Sequence, residues 1–393
     1  MKLRNTQTSG STTTSNGLVS RLRREKTKLL GSPSTSPSNA TQVAVASSTK
    51  KSVSKEVERQ QPHSVSHNND AAQFKDCLDA FLSEEEEEDN NVDEPHARSS
   101  IKQGGSQKAR SKRRAVRIRD SGHVSVEGAM GHANEDRLIV RSNEQFHLFV
   151  VIDGHGGSNA ADFIVDTMFA AFERVYDDGF ESRALETAAC DLDKEFCTRA
   201  RRTQDYSGAC YLAIIVYMDP ETDTEQKIVL NCGDCRAIVK EEPSKKEAKG
   251  GRKSSTSQCE ESRVIALSDD HCARNRSEKL RALEAGAYIQ NNRIAGVLEP
   301  FRSLGDIDVK TKSMKNWVIA TPEIRKTPLA VGCSTLLLAT DGVWGVLTNE
   351  VAMEIVQTEL EANRGAARAA RAVVDKARER GSQDDITAIV VLI

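Results

Sequence analysis

The chain has 393 residues, with 55 Lys and Arg against 58 Asp and Glu and a formal net charge of −3. Its length allows two or three domains of the usual ~100–200 residues, and the near-neutral balance argues against a dedicated nucleic-acid binder, which carries a strongly basic domain. No apolar run reaches the ~18 residues of a membrane-spanning helix, and Met1 to Asn16 is rich in Ser and Thr without an apolar signal core, so neither a span nor secretion is expected.

Hydrophobic residues make up 38% of the chain, below the ~45–50% of ordinary globular domains. The deficit sits at the N-terminus, where only Phe74 and Phe81 supply aromatic rings before residue 116. Residues 1–113 are low-complexity in Ser, Thr, Asn, Gln and Lys and are expected to be disordered, because they cannot bury enough apolar surface to offset chain ordering. Three islands stand out in that tail. Leu18 to Leu30 is basic with spaced Leu and Val. Phe74, Leu78, Phe81 and Leu82 have helical spacing and run into the acidic block Glu84 to Asp89. Lys108, Arg110, Lys112, Arg113 and Arg114 form a basic cluster that reads either as a nuclear-import or phosphate-backbone patch or as a soluble linker edge.

From residue 114 to 393 the texture is that of one folded domain. Strands are predicted at Leu138–Val140, Phe146–Ile152, Tyr211–Met218, Lys227–Asn231, Thr335–Ala339 and Ile386–Leu392. The second and third are nearly continuous apolar runs, as strands buried on both faces should be. Amphipathic helices are predicted over Ser158 to Tyr176, Ala184 to Arg201 and Arg276 to Ala285, and over Glu350 to Arg380 with Gly365 interrupting. Strands cluster and helices come in pairs, without regular β-α-β alternation, which predicts an α+β layered fold of antiparallel sheets covered by helix pairs. Residues 241–261, rich in Lys, Ser and Gly, read as a flexible insertion between two strands. The nine Cys are an odd, dispersed set rather than a disulfide framework, which predicts a reducing, intracellular setting and a cytoplasmic or nuclear location.

The informative residues are acids at strand ends. Phe149-Val-Val-Ile-Asp153-Gly154-His155 ends a buried strand, Thr335-Leu-Leu-Leu-Ala-Thr-Asp341-Gly another, and Ile228-Val-Leu-Asn-Cys-Gly233-Asp234 a third. Asp384-Asp385 precedes the last strand and Glu135-Asp136 an early one. A lone Asp-Gly is a turn signal. Several carboxylates on buried strand ends are different, since an ionised carboxylate is costly to desolvate unless paired or bound to metal. Oxygen ligands without a His or Cys cluster select hard cations, magnesium or manganese. The CxxC of Cys232 and Cys235 lacks a second pair at zinc spacing and reads as structural.

In order, Asn-Glu135-Asp136, Asp153-Gly154-His155-Gly-Gly, Ser207-Gly208, Asn-Cys-Gly-Asp234-Cys-Arg, Asp270-His271, Arg302-Ser-Leu-Gly-Asp306, Asp341-Gly-Val-Trp and Asp384-Asp-Ile-Thr resemble the metal-dependent PPM-type (type 2C) serine/threonine protein phosphatases. The resemblance implies a four-layer αββα sandwich with metals at one edge. It implies that Asp153 bridges two divalent cations, magnesium or manganese, that the Gly154 carbonyl adds a ligand, and that Asp341 and Asp384 complete the first ion. Glu135 and Asp136 would hold metal-bound waters, Asp234 would serve a third, weaker site, and His155 would protonate the leaving Ser/Thr oxygen. The implied reaction is direct attack of a metal-bound hydroxide on phosphoserine or phosphothreonine, with no enzyme nucleophile. The motifs at Arg302–Asp306 and Asp270-His271 look structural, the first fixing a loop and the second capping the stretch before the helix at Arg276.

Two positions depart from the family pattern. Gly131 stands where an Arg usually clamps the phosphate, with His132, Arg137 and Arg302 as possible substitutes, and Gly345 stands where the third-site Asp usually follows Trp344. They favour the alternative of a non-catalytic, phosphatase-like binding module, whereas the intact Asp153, Asp341 and Asp384 favour an enzyme. A metal nuclease is disfavoured by the near-neutral charge. The expected partner is a phosphoprotein substrate, with no nucleic acid or membrane, and the expected state is a monomer.

Overall fold

The computed structural model describes residues 116–220, 222–241, 263–329 and 334–393. The tail expected to be disordered, with its apolar and basic islands, and the expected insertion apart from Glu241 lie outside the described residues.

Two antiparallel sheets face one another. The first orders its strands β1 (Asp120–Val126), β13 (Ile386–Leu392), β12 (Ser334–Ala339), β6 (Arg236–Glu241) and β7 (Val264–Ala266). The second runs β11 (Glu323–Pro328), β5 (Thr224–Cys232), β4 (Gly208–Asp219), β3 (Phe146–His155) and β2 (Arg137–Ser142), with β10 (Leu304–Gly305) joining the start of β4. Helices α1 (Asn159–Val175) and α2 (Ser182–Thr203) cover the outer face of the second sheet. On the first sheet, α5 (Asn349–Glu361) and α6 (Gly365–Glu379) do the same. A satellite cluster gathers α3 (Arg276–Glu284) with the β8 (Ile289–Gln290) and β9 (Arg293–Ile294) hairpin. This is the expected α+β sandwich of four layers.

Strand periodicity explains the layering. In β3, Leu148, Val150 and Ile152 point to α1 and α2, while Phe149 and Val151 point to the facing sheet. In β4 the same division puts Ala213, Ile215 and Tyr217 under the helices and Leu212, Ile214 and Val216 between the sheets. Both faces are buried, so the two strands read as unbroken apolar runs. α6 lays Ala366, Ala369, Ala370, Val373, Val374 and Ala377 on the first sheet, and these small side chains bring its backbone against Gly122 of β1, where a Cβ would collide with Ala367.

The expected CxxC reading holds for a geometric reason. Cys232 belongs to the layer beneath the helices and Cys235 to the layer between the sheets, and both are free thiols. Burial pushes the Cys232 thiol up to about 12.

The Gly233-Asp234 turn between them carries the chain from one sheet to the other, and His271 holds it. The buried His271 accepts from the Gly233 N–H at Nδ1 (3.2 Å), and its backbone N–H donates to the Gly233 carbonyl (2.9 Å). The expected capping role of Asp270-His271 is therefore corrected. Asn275, directly before α3, caps it by accepting from Ser277 and Glu278, and Asp270 lies too far upstream. Asp270 instead pairs with Arg236 (2.6 and 2.9 Å), whose guanidinium also reaches Asn349 at the start of α5 (2.8 Å) and stacks over Trp344.

Burial, with Arg302 nearby, lowers the His271 pKa from 6.5 to about 3. Below about pH 6.5 the unfolded chain therefore takes up a proton that the folded chain refuses, and stability falls by about 1.4 kcal/mol per pH unit from this residue until pH nears the folded value. His271→Asn keeps a polar side chain but removes the titration. In urea unfolding between pH 6.5 and 4.5 its stability should fall less steeply than the wild type's by about that slope; parallel profiles would contradict the assignment.

Candidate active site

The registers place every acid of interest at one end of the sandwich. In the second sheet the start of β2 (Arg137) pairs with Ile152 of β3, Asp153 and His155 pair with Cys210 and Gly208 at the start of β4, and Tyr211 pairs with Cys232 at the end of β5. In the first sheet, Ala339 at the end of β12 pairs with Ala388 near the start of β13 and with Arg236 at the start of β6. Asp136, Asp153, Asp234, Asp341 and Asp384 each lie within a few residues of these ends.

The carboxylates act on one another. Burial, then repulsion from Asp341, Asp136, Asp384 and Asp234, holds the Asp153 pKa well above the usual carboxylate range. Burial does the same to Asp136, opposed by hydrogen bonds from Thr387 and Thr340 and reinforced by Asp385 and Asp341. Asp234 is raised by burial and then by Asp341, against a hydrogen bond from Cys210. An uncompensated set of this kind calls for positive charge. The donors are oxygens, which suits hard divalent cations. Among the described residues no three His, Cys, Asp or Glu side chains stand close enough to make a ready metal cage.

Backbone contacts bring the loop of Glu135 and Asp136 to the end of β3. A Cβ on Gly154 would strike the Glu135 carbonyl, so only glycine lets the two segments approach this closely. Asp385 secures the same loop by accepting from the backbone N–H of Gly128 (2.7 Å) and of Glu135 (2.7 Å). Thr340 donates to Asp136 (2.9 Å), and Arg137 ties the loop to α1 through Asp162 (2.6 Å) and to the carbonyls of Asn134 and Asp136. Asp341 opens a one-turn helix, α4 (Asp341–Trp344), pinned by the Trp344 indole N–H donating to the Ala339 carbonyl (2.8 Å).

His155 lies beside this group, partly exposed, with its Nε2 2.9 and 3.0 Å from the two carboxylate oxygens of Asp306. Arg302 fixes its loop as expected, binding both oxygens of Glu278 (2.5 and 3.0 Å) and the Thr321 carbonyl (2.9 Å). Arg302 and Arg137 are thus both occupied in ion pairs of the fold, and His132 lies 3.9 Å from Asp385. The sequence marks Asp385 among the strand-end acids and Arg236 within a motif but assigns neither a role, and it leaves Asp306 as a loop residue. Asp385 carries no signal apart from its neighbour Asp384, and Asp306 is 151 residues from the histidine it binds.

The chain resembles known proteins in sequence and in structure. The profile of the family described as Protein phosphatase 2C matches residues 116–386. A rice (Oryza sativa subsp. japonica) protein named "Probable protein phosphatase 2C 74" is 30% identical over 295 residues, covering 68% of this chain and 64% of that protein. The chain thus spans slightly less than two thirds of that relative's length. An Arabidopsis thaliana "Probable protein phosphatase 2C 59" is 29% identical over 265 residues, covering 65% of this chain and 73% of that one. In fold, a Toxoplasma gondii phosphatase aligns with TM-score 0.57 at 19% identity over 71% of this chain and 94% of its own. A C. elegans sex determining protein aligns with TM-score 0.55 at 21% identity, over 70% of this chain and 64% of its own. The profile spans well over half of the residues, and the chain belongs to the protein phosphatase 2C family.

Proposed function

We propose that this chain is a metal-dependent protein serine/threonine phosphatase and that residues 114–393 form its catalytic unit. The observation that carries the reading is the set of mutually repelling strand-end carboxylates around Asp153. In this reading Asp153, the Gly154 carbonyl, Asp341 and Asp384 would hold two magnesium or manganese ions, with Asp153 serving both. Glu135 and Asp136 take hydration waters, and Asp234 serves a weaker third position without the acid that Gly345 replaces. When bound, such cations neutralise the phosphate dianion and lower the pKa of a water enough to give a nucleophile near neutral pH.

The rest of the work falls to the chain. Asp385, Thr340 and Arg137 keep the loop of Glu135 and Asp136 in register with β3. His155 gives a proton to the serine or threonine oxygen as the P–O bond breaks, because an alkoxide is too basic to leave unaided. Phosphate binding is the weak point. With Arg137 and Arg302 held in ion pairs, the position of Gly131 offers no clamp. That absence is what favours the second reading, a phosphatase-shaped module that binds phosphoproteins without turnover.

Asp153→Asn tests the first reading. It should abolish manganese-dependent hydrolysis of p-nitrophenyl phosphate, since it withdraws charge from both ions at once. Its melting temperature without metal should equal or exceed the wild type's, because a repelling carboxylate is gone from a buried set. Near-wild-type turnover in the variant would overturn the metal assignment, and a wild type without turnover would favour the binding module.

Gly131→Arg tests the clamp. Gly131 has φ +82°, and nothing lies within 4 Å of the position a Cβ would take, so the cost is backbone strain rather than collision; that strain is about 1–2 kcal/mol. The variant should fold, lose roughly that much stability, and lower the Michaelis constant about ten- to a hundredfold with kcat less affected, as one charge-assisted contact made in ground and transition states would do. An unchanged constant in a folded variant would mean that another cation already holds the phosphate.

A further inference from the structure

Three strands meet where His155 sits. His155 of β3 pairs with Gly208 of β4, and Gly208 pairs with Gly305 of β10. Histidine and the Gly305-Asp306 segment therefore flank Gly208 from opposite sides, and their side chains bond across it at 2.9 and 3.0 Å. A Cβ on Gly208 would collide with the Asp306 carboxylate and with His155 Nε2 together. The glycine is what leaves room for the pair.

Asp306 is held by more than this bond. It is fully buried and has φ +57°, a left-handed conformation that non-glycine residues adopt at a cost. Its backbone N–H donates to the Ser207 carbonyl (3.1 Å), and the Ser303 hydroxyl donates to its Oδ2 (2.5 Å). The loop is buttressed in turn by Asp193 of α2, which accepts from the Gly305 N–H (2.9 Å) and from Lys310 (2.8 Å), while Lys310 also donates to the Ser303 carbonyl (2.8 Å). A backbone conformation of this kind persists only where its surroundings over-determine it, and here they over-determine the direction of one carboxylate.

We infer that Asp306 is the positioning residue of His155: it accepts a hydrogen bond from Nε2–H, fixes the ring's tautomer and orientation, and leaves Nδ1 as the atom that serves the leaving group. The inference rests on the proposed reading of His155 as proton donor. In the step it serves, a water oxygen bonds to phosphorus, and the P–O bond breaks with its electron pair going to the serine or threonine oxygen. That oxygen takes the proton from Nδ1. The proton shed by the water passes to solvent, from which Nδ1 is reprotonated, while Nε2–H stays on Asp306 throughout. The sum is phosphomonoester plus water giving alcohol plus phosphate.

The leaving group supplies the discriminating readout. A phosphoserine peptide needs a proton at its departing oxygen, whereas p-nitrophenolate leaves without one. The full chain with manganese is assayed on both substrates as wild type, His155→Ala, Asp306→Asn and the double variant. Asn suits left-handed backbone and keeps the side chain's shape, so Asp306→Asn removes the charge with little strain. His155→Ala should lower peptide kcat at least a hundredfold, as loss of general-acid catalysis does, and lower p-nitrophenyl phosphate turnover far less. Asp306→Asn should lower peptide kcat ten- to a hundredfold with KM unchanged, spare p-nitrophenyl phosphate, and cost nothing further in the His155→Ala background. Unchanged peptide turnover in Asp306→Asn, or an undiminished further loss in the double variant, would overturn the inference while leaving His155 as donor. If His155→Ala spares the peptide, the donor reading falls and the inference with it. Should Asp306→Asn not fold, 15N-histidine spectra of the wild type decide the matter: His155 protonated at Nε2 supports the pair, and an unprotonated Nε2 contradicts it.

Discussion

Like charges gathered in a partly desolvated place set the terms for this molecule. Asp136, Asp153 and Asp234 are each pushed toward their neutral forms by burial and by the acids around them, with Asp341 common to all three. A chain selected only for stability would place apolar or hydrogen-bonded groups at these strand ends. The edge of the sandwich keeps its acids instead, and the surrounding structure is arranged so that they stay close. On the proposed reading, hard cations would supply what such a set lacks, and the same ions would supply what hydrolysis of a phosphate dianion needs.

Keeping acids together requires backbone to approach backbone, and glycine makes that possible at the decisive places. Gly154 lets the Glu135 segment close on β3, and Gly208 leaves the space in which His155 and Asp306 meet. Around these close approaches the polar groups are matched. Asp385 takes two backbone N–H groups of the loop before β2, His271 holds the turn at Gly233, and Arg236 joins that end of the first sheet to Asn349 and Trp344. These contacts join segments distant in sequence. They make the site a product of the whole sandwich rather than of a single loop.

Much of this was legible in the sequence because burial on both faces leaves an unmistakable trace. β3 and β4 appeared as apolar runs, and the helix pair interrupted at Gly365 was found as α5 and α6. Most of the missed strands lack that trace; the short β6, with Ala237, Ile238 and Val239 buried, is the exception, and β7 has three residues. β11 is the polar edge segment Glu-Ile-Arg-Lys-Thr-Pro, β1 is half exposed, and β8, β9 and β10 have two residues each. The strand-end acids were visible because each follows or precedes an apolar run. Asp306 was not, because its meaning comes from a partner on another strand, across a glycine that only the register identifies. The capping error at Asp270 has a similar origin, since its pairing with Arg236 is tertiary while Asn275 sits at the helix start.

Stoichiometry tests, without any substrate, whether the acids around Asp153 form one cation-binding unit. Equilibrium dialysis of the full chain against manganese, before and after Asp341→Asn, counts the ions held. At least two per wild-type chain are expected, with loss of one or more in the variant, because Asp341 repels Asp136, Asp153 and Asp234 alike and so lies near each of them. A wild-type chain that holds no manganese at millimolar concentration, or a variant that keeps the full count, would contradict it.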